Sequence, residues 1–191
     1  MSEHMALENL TVLDLTRVLA GPFCTMMLAD MGANVIKIEV PKGGDDTRSY
    51  PPFRAKNLNG ERESVYFANI NRNKKGITLN LKAPEGKEIF KELVKKADIV
   101  VENYRPGVMD KLGLGYDVLK EINPRIIYAA VSGFGCYGPY HLRPGYDILA
   151  QAMGGMMSIT GSKGGEPTRA GSALGDILGG LHVTIGILAA V

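Results

Sequence analysis

Apolar and polar positions along the chain switch repeatedly between short β-branched runs and longer stretches with helical spacing. Leu10 to Leu15 (LTVLDL) is an apolar run that predicts a strand, followed by a loop from Thr16 to Gly21 and a helix from Pro22 to Met31. Asn34 to Val40 (NVIKIEV) alternates between Gly32 and Pro41-Lys-Gly-Gly and predicts a second strand, and residues 41 to 64 read as a long polar loop. Ile77 to Leu81 (ITLNL) predicts a third strand. The next helix opens at Ala83-Pro84-Glu85 and ends on Lys95-Lys96, charges that match the helix dipole at both ends. Its Ile89, Phe90, Leu93, Val94 and Ala97 form one stripe, with Lys87, Glu88, Lys91 and Glu92 facing water. Asp98 to Glu102 and Arg125 to Val131 return as strands, with two short helices between Pro106 and Asn123. This rhythm predicts an α/β fold, a Rossmann-like mainly parallel sheet with flanking helices and ligands beyond the carboxyl ends of its strands.

The last third is glycine-rich. Tyr146-Asp147 opens an apolar helix that ends at Gly154-Gly155, and a glycine-rich loop leads to Gly175-Asp176. Ile177 to Val191 is an apolar stretch of 15 residues containing Gly179, Gly180, His182 and Gly186, short for a membrane span and suited to a buried helix. It meets the chain end without a C-cap, which predicts that the natural polypeptide continues. At the other end Met1 to Met5 (MSEHM) reads as a start-site remnant ahead of the first strand, with no charged leader before an apolar core.

Composition narrows the partners. A net charge of +2 over 22 basic and 20 acidic residues gives no field that favours nucleic acid or an anionic membrane, so small molecules are the expected partners. Cys24 and Cys136 have no CxxC neighbour and are too few for a disulfide framework, which points to a reducing, cytoplasmic setting.

The dinucleotide fingerprint G-x-G-x-x-G is absent after the first strand, where Thr16 to Pro22 contains one glycine; Glu39, at the end of the second strand, reads as a solvated acid rather than a ribose ligand. No metal site is expected: His4 falls in the remnant, and His141 and His182 read as a loop and a core histidine. There is no G-x-S-x-G elbow, and Cys136 reads as a turn residue. Asp176 is the only Asp, Glu, Lys or Arg after Arg169 and precedes an apolar helix. Spacing alone favours an N-cap there, but helix N–H groups would also keep the carboxylate ionised, as a nucleophile requires. Arg17, Arg48, Lys74, Lys75, Asn103, Tyr104, Arg105, Lys111 and Arg143 lie near strand ends; most read as solvated surface, with a subset suited to phosphates and adenine.

Taken together, VLDLTRVLAGPFCTMMLADMGANVIKIE (Val12 to Glu39), NRNKKGITLNLKAPEGK (Asn71 to Lys87), ADIVVENYRPGVMDKLGLGY (Ala97 to Tyr116), NPRIIYAAVSGFG (Asn123 to Gly135) and the block from RPGYDILAQAMGG to ALGDILGG resemble family III CoA-transferases. This is the CaiB/BaiF type, which includes formyl-CoA transferase and carnitine CoA-transferase. The resemblance covers residues 7 to 191. It implies that Asp176, in the ALGD motif, is the catalytic nucleophile. It also implies that Arg17, Val18, Leu19 and Ala20 line the CoA path, with the nucleotide near Val40, Leu79, Asn103, Tyr104, Lys111 and Arg143. Formyl-CoA transferases carry a basic residue where Val40 stands, and the related α-methylacyl-CoA racemases carry a histidine where this chain has Tyr146. The implied substrates are an acyl-CoA and a small carboxylic acid, with no covalently bound cofactor. The implied assembly is an interlocked homodimer, of whose large domain residues 6–191 would be the N-terminal part. A racemase-like enzyme and a noncatalytic CoA-binding fragment are the alternatives.

Overall fold

The computed structural model describes residues 4–54, 60 and 62–191. In chain order its elements are β1 (Thr11–Asp14), α1 (Ala20–Asp30), β2 (Asn34–Glu39), a 3-10 turn (Asp46–Ser49), β3 (Phe53–Arg54), β4 (Glu63–Ser64) and α2 (Val65–Ile70). Then follow β5 (Lys75–Thr78), α3 (Pro84–Val94), β6 (Ile99–Glu102), α4 (Val108–Leu112), α5 (Tyr116–Ile122) and β7 (Ile127–Ala130). The described chain ends with α6 (Asp147–Met153), a 3-10 turn (Met156–Ile159) and α7 (Leu174–Ala190).

Five strands form one sheet in the order β5-β2-β1-β6-β7, and every neighbouring pair is parallel. The fold class therefore follows the sequence reading. Both faces of the sheet are covered, which is why its central strands read as continuous apolar runs. Successive residues split between two cores. Leu13, Leu15 and Val100 face Phe90, Val94, Leu114 and Leu119, whereas Val12, Ile99 and Val101 face Cys24, Leu28, Val35 and Ile187.

Local expectations are corrected at the third strand, in the loop 41–64 and in α7. The third strand occupies Lys75–Thr78 rather than Ile77 to Leu81. Its register is set just before it, where Lys74 Nζ reaches Asp14 Oδ2 at 3.0 Å, Pro22 O at 3.0 Å and Asn71 Oδ1 at 2.9 Å. Asn80 then accepts from Lys82 N–H and turns the chain toward α3. The polar loop 41–64 contains a 3-10 turn and the short antiparallel pair β3–β4; residues 55–59 and 61 lie outside the described residues. At the other end of the chain, Met5 lies against Gly32.

α7 is buried along one stripe only. Gly180, Thr184 and Ile187 face the body of the fold, while Leu178, Ile185 and Leu188 are exposed. Gly180 permits the close approach to α1, since a Cβ there would lie 2.4 Å from Ala20 O. His182 is on the exposed side rather than in the core, with its Nδ1 2.8 Å from Leu178 O. Among the described residues no helix is long and apolar enough to cross a membrane.

The pair Asp14–Lys74 is sealed from water, at 0% and 2% side-chain exposure. Burial by itself would raise the Asp14 pKa, but the charges of Lys74 and Lys37 and the hydroxyls of Thr16 and Thr25 hold it below the ordinary aspartate value. Removing one member of such a pair strands the other. Lys74→Ala is therefore expected to cost about 3–5 kcal/mol in urea unfolding, whereas Lys91→Ala, on the partly exposed Lys91–Glu88 pair, is expected to change stability by less than about 1 kcal/mol.

Candidate active site

The β1–α1 loop is built on buried charge. Asp14 Oδ1 accepts from Thr16 N–H at 2.8 Å and from Thr16 Oγ1 at 2.5 Å, while Thr25 Oγ1 donates to Asp14 Oδ2 at 2.7 Å. The Thr16 carbonyl accepts from Lys37 Nζ at 2.8 Å, and the same ammonium donates to Asp45 Oδ2 at 3.0 Å. Asp45 Oδ1 in turn accepts from Val18 N–H at 3.2 Å and from Thr47 N–H at 3.0 Å. Val18 has φ +69°, a left-handed conformation that costs a β-branched residue on the order of 1–3 kcal/mol. The Asp45 bond is one of the contacts that hold it there.

Glu39 continues this network, so it is not the solvated strand-end acid that the sequence suggests. It is 8% exposed, accepts from Asp45 N–H at 2.7 Å, and forms a two-point pair with Arg48 at 2.9 and 2.6 Å. The Arg48 guanidinium also lies 3.8 Å from the Phe67 ring centroid. Arg48 and Lys74 belong to the set of strand-end residues that the sequence left divided between solvated surface and a ligand-binding subset. Both are committed to structural pairs.

Across the sheet, Asn103 closes the other side of the loop. Its Oδ1 accepts from Arg17 N–H at 2.9 Å, and its Nδ2 donates to Arg17 O at 2.7 Å. This reciprocal clamp bridges the carboxyl ends of β1 and β6, where the strand order reverses direction and open α/β sheets form a crevice.

A cavity of about 600 Å³ opens at that crevice. Its lining brings together Arg17, Val18, Leu19, Ala20, Asn103, Tyr104, Arg105, Arg143 and Asp176 from the residues singled out in the sequence, and adds Tyr146, Leu149, Gly175 and Gly179. Val40, Leu79 and Lys111 do not line it: Val40 and Lys111 are exposed, and Leu79 packs against the core. Glycine shapes the wall at one crossing, where a Cβ on Gly133 would lie 2.2 Å from the Gly145 Cα. Cations surround the opening, with the Arg143 guanidinium 4.0 Å from the Tyr140 ring centroid and Arg17 paired loosely with Asp46 at 3.3 Å.

Asp176 lies in the first turn of α7, not at its N-cap, which is Ala173. The helix starts earlier than the charge pattern suggests because α6 supplies its own acceptor. Asp147 Oδ1 takes the Gly175 N–H at 2.8 Å, and its Oδ2 takes Gln151 Nε2 at 2.8 Å. Gln151, 2% exposed, then accepts the Ala170 N–H at 2.8 Å and ties down the preceding loop. None of the hydrogen bonds among the described residues involves the Asp176 carboxylate. Partial burial, then the nearby Asp147 charge, raise its pKa above the ordinary aspartate value. This reverses the expectation that helix N–H groups would favour its charged form. The Asp176 charge also reaches Tyr66 on α2, whose phenol is raised by burial first and by Asp176 second. Asp147 and Tyr66 were not singled out as neighbours of Asp176 from sequence, nor Gln151 as the anchor of the preceding loop, because these roles depend on packing between separate segments.

Comparison with known proteins gives the family. The description of CoA-transferase family III fits residues 7–191. The chain is 48% identical to human succinyl-CoA:glutarate CoA-transferase over 190 residues, which is 99% of this chain and 42% of that protein. It is 48% identical to the formyl-CoA:oxalate CoA-transferase of Streptomyces coelicolor over 186 residues, 97% of this chain and 44% of that one. A crystal structure of a CAIB/BAIF family protein from Brucella suis superposes with a TM-score of 0.94 at 46% identity, covering 98% of this chain and 49% of that chain. The chain thus spans about half the length of the relatives it matches. With the family description fitting nearly the whole chain and the fold agreeing closely, the chain belongs to CoA-transferase family III.

Proposed function

We propose that, at the length its relatives have, this protein transfers coenzyme A between an acyl-CoA thioester and a free carboxylic acid through covalent intermediates on Asp176. The observation that carries this reading is the Asp176 carboxylate on the cavity wall, half-buried and free of hydrogen bonds among the described residues. A carboxylate without hydrogen-bond donors keeps its lone pairs for an electrophile, and partial desolvation makes its charge more reactive.

In the forward direction an Asp176 oxygen attacks the thioester carbonyl carbon, the C–S bond breaks, and CoA leaves as thiolate from a mixed anhydride. The thiolate then attacks the Asp176 carbonyl, releasing the donor acid and forming an aspartyl-CoA thioester. The acceptor carboxylate attacks the carbonyl of that thioester, the C–S bond breaks, and CoA leaves again as thiolate from a second anhydride. Thiolate attack on the acceptor's carbonyl completes the new acyl-CoA and restores Asp176. No net proton is needed in this cycle, which suits a site whose central group is an anion rather than an imidazole.

Arg17, Arg105 and Arg143 at the cavity give a polyanionic nucleotide several cations to meet, and Val18 to Ala20 give its pantetheine arm an apolar edge. Val40, Leu79 and Lys111 would serve only a nucleotide that extends beyond this cavity. The names of the relatives, with glutarate and oxalate as acceptors, favour a small dicarboxylic acid here. Tyr146 on the cavity wall favours transfer over racemisation, because a phenol stands where a racemase needs an imidazole to take the α-proton. In this proposal residues 6–191 are the N-terminal part of the large domain of an interlocked cytoplasmic homodimer.

Two outcomes test the reading. In a polypeptide of the relatives' length, Asp176→Ala is expected to lower turnover by roughly 1,000-fold or more, and hydroxylamine added with acyl-CoA is expected to convert Asp176 alone to a hydroxamate, read by peptide mass spectrometry. Unmodified Asp176 during turnover would refute the covalent route. Asp147→Asn removes a neighbouring charge but keeps an acceptor for Gly175 N–H, so the Asp176 pKa is expected to fall, followed by carboxyl ¹³C NMR, and the acid limb of the pH profile to move down with it. Asp147→Ala, which removes the acceptor too, is expected to cost about 1 kcal/mol of stability.

A further inference from the structure

A second carboxylate lies behind the cavity wall, and the transfer chemistry does not use it. Glu102 is the last residue of β6 and is 7% exposed. Its Oε2 accepts from Tyr104 N–H at 2.7 Å, and its Oε1 accepts from Tyr128 OH at 3.2 Å. The next two residues, Asn103 and Tyr104, line the cavity, and Asn103 holds the Arg17 clamp. Among the described residues no cation forms an ion pair with Glu102, in contrast to Asp14, Glu39 and Asp45 in the network under the same crevice.

The groups around it offer little compensation. Asp110 on α4 adds a like charge, and Tyr128 on β7 is flanked by Tyr116 on α5 at 5.9 Å, over whose ring Lys120 lies at 5.6 Å. The charge of Cys136 acts on Tyr128, while Arg17 from the cavity wall and Asp14 from the buried network act on Tyr104. Burial, opposed by the two hydrogen bonds, leaves Glu102 titrating at about 7.

We propose that Glu102 is a positioning residue of the ligand cavity, holding the Asn103–Tyr104 wall through the Tyr104 N–H and taking a proton from solvent when a polyanionic ligand enters. This rests on the reading of the cavity as a CoA site. The sign follows from charge: phosphates brought near an unpaired carboxylate favour its neutral form, so binding draws in a proton and weakens as pH rises through about 7. The wall is held in both states. A neutral carboxyl still accepts from Tyr104 N–H through its carbonyl oxygen, and its O–H can donate to the Tyr128 oxygen. Glu102→Gln reproduces that neutral arrangement with an amide.

The test is calorimetric titration of the full chain with 3′-dephospho-CoA at pH 7, in two buffers of different ionisation heat. Wild type is expected to take up as much as about half a proton per ligand and to lose as much as about tenfold in affinity between pH 6 and pH 8. Glu102→Gln is expected to bind without that uptake and with affinity nearly independent of pH over the same range. Tyr128→Phe, which removes one hydrogen bond to the carboxylate, is expected to move the uptake to higher pH and so checks the assignment in a second background. Proton uptake in Glu102→Gln equal to wild type would overturn the inference. Absence of binding by wild type would overturn the CoA reading and the inference with it, a result distinct from unchanged uptake.

Discussion

The structure depends on two ammonium groups buried beneath the carboxyl ends of its central strands. Lys74 with Asp14, and Lys37 with Asp45, join β5, β2 and the loop after β2 to the turn that follows β1. Buried pairs of this kind are weak evidence for stability, since apolar replacements of similar volume often do as well. What they supply here is position. Lys37 and Asp45 anchor the loop at the Thr16 carbonyl and the Val18 amide, where the chain carries valine at a positive φ beside the cavity.

The same constraint sorts the acidic residues by role. Asp14, Glu39 and Asp45 are buried, yet cations or hydrogen-bond donors outweigh desolvation and keep all three below their ordinary values. Asp176 has no hydrogen bond among the described residues and Glu102 has two but no paired cation; burial outweighs what is there, and both are raised. The fold therefore pairs Lys37, Arg48 and Lys74 with scaffold carboxylates and leaves Asp176 and Glu102 without a paired cation among the described residues. One is open to the cavity and suited to attack on carbon. The other is sealed behind the wall and suited to proton exchange.

The sheet was legible in the sequence because strand and helix alternate with clear periods, and runs such as IVVE split their residues between two cores. The cavity-lining residues from Arg17 to Ala20, with Asn103, Tyr104, Arg143 and Asp176, were legible through motif resemblance rather than spacing. What escaped depended on distant contacts. β5 begins two residues early because Lys74 reaches Asp14, and Glu39 is not solvated because Arg48 folds back over it. Asp176 reads as a cap from its position before an apolar run, but Asp147, on another helix and 28 residues before Gly175, takes the Gly175 N–H. The exposed stripe of α7 escaped as well, since a uniformly apolar segment carries no periodic signal for its outer side.

The central claim is that the Asp176 carboxylate passes through covalent exchange with both acids, and oxygen labelling tests it most directly. In the proposed cycle an oxygen of the acceptor carboxylate remains on Asp176 when the second anhydride is resolved. Turnover of the polypeptide at the relatives' length with an ¹⁸O-labelled acceptor acid should therefore place ¹⁸O in the peptide containing Asp176. Turnover that leaves this peptide at its natural oxygen mass would contradict the account.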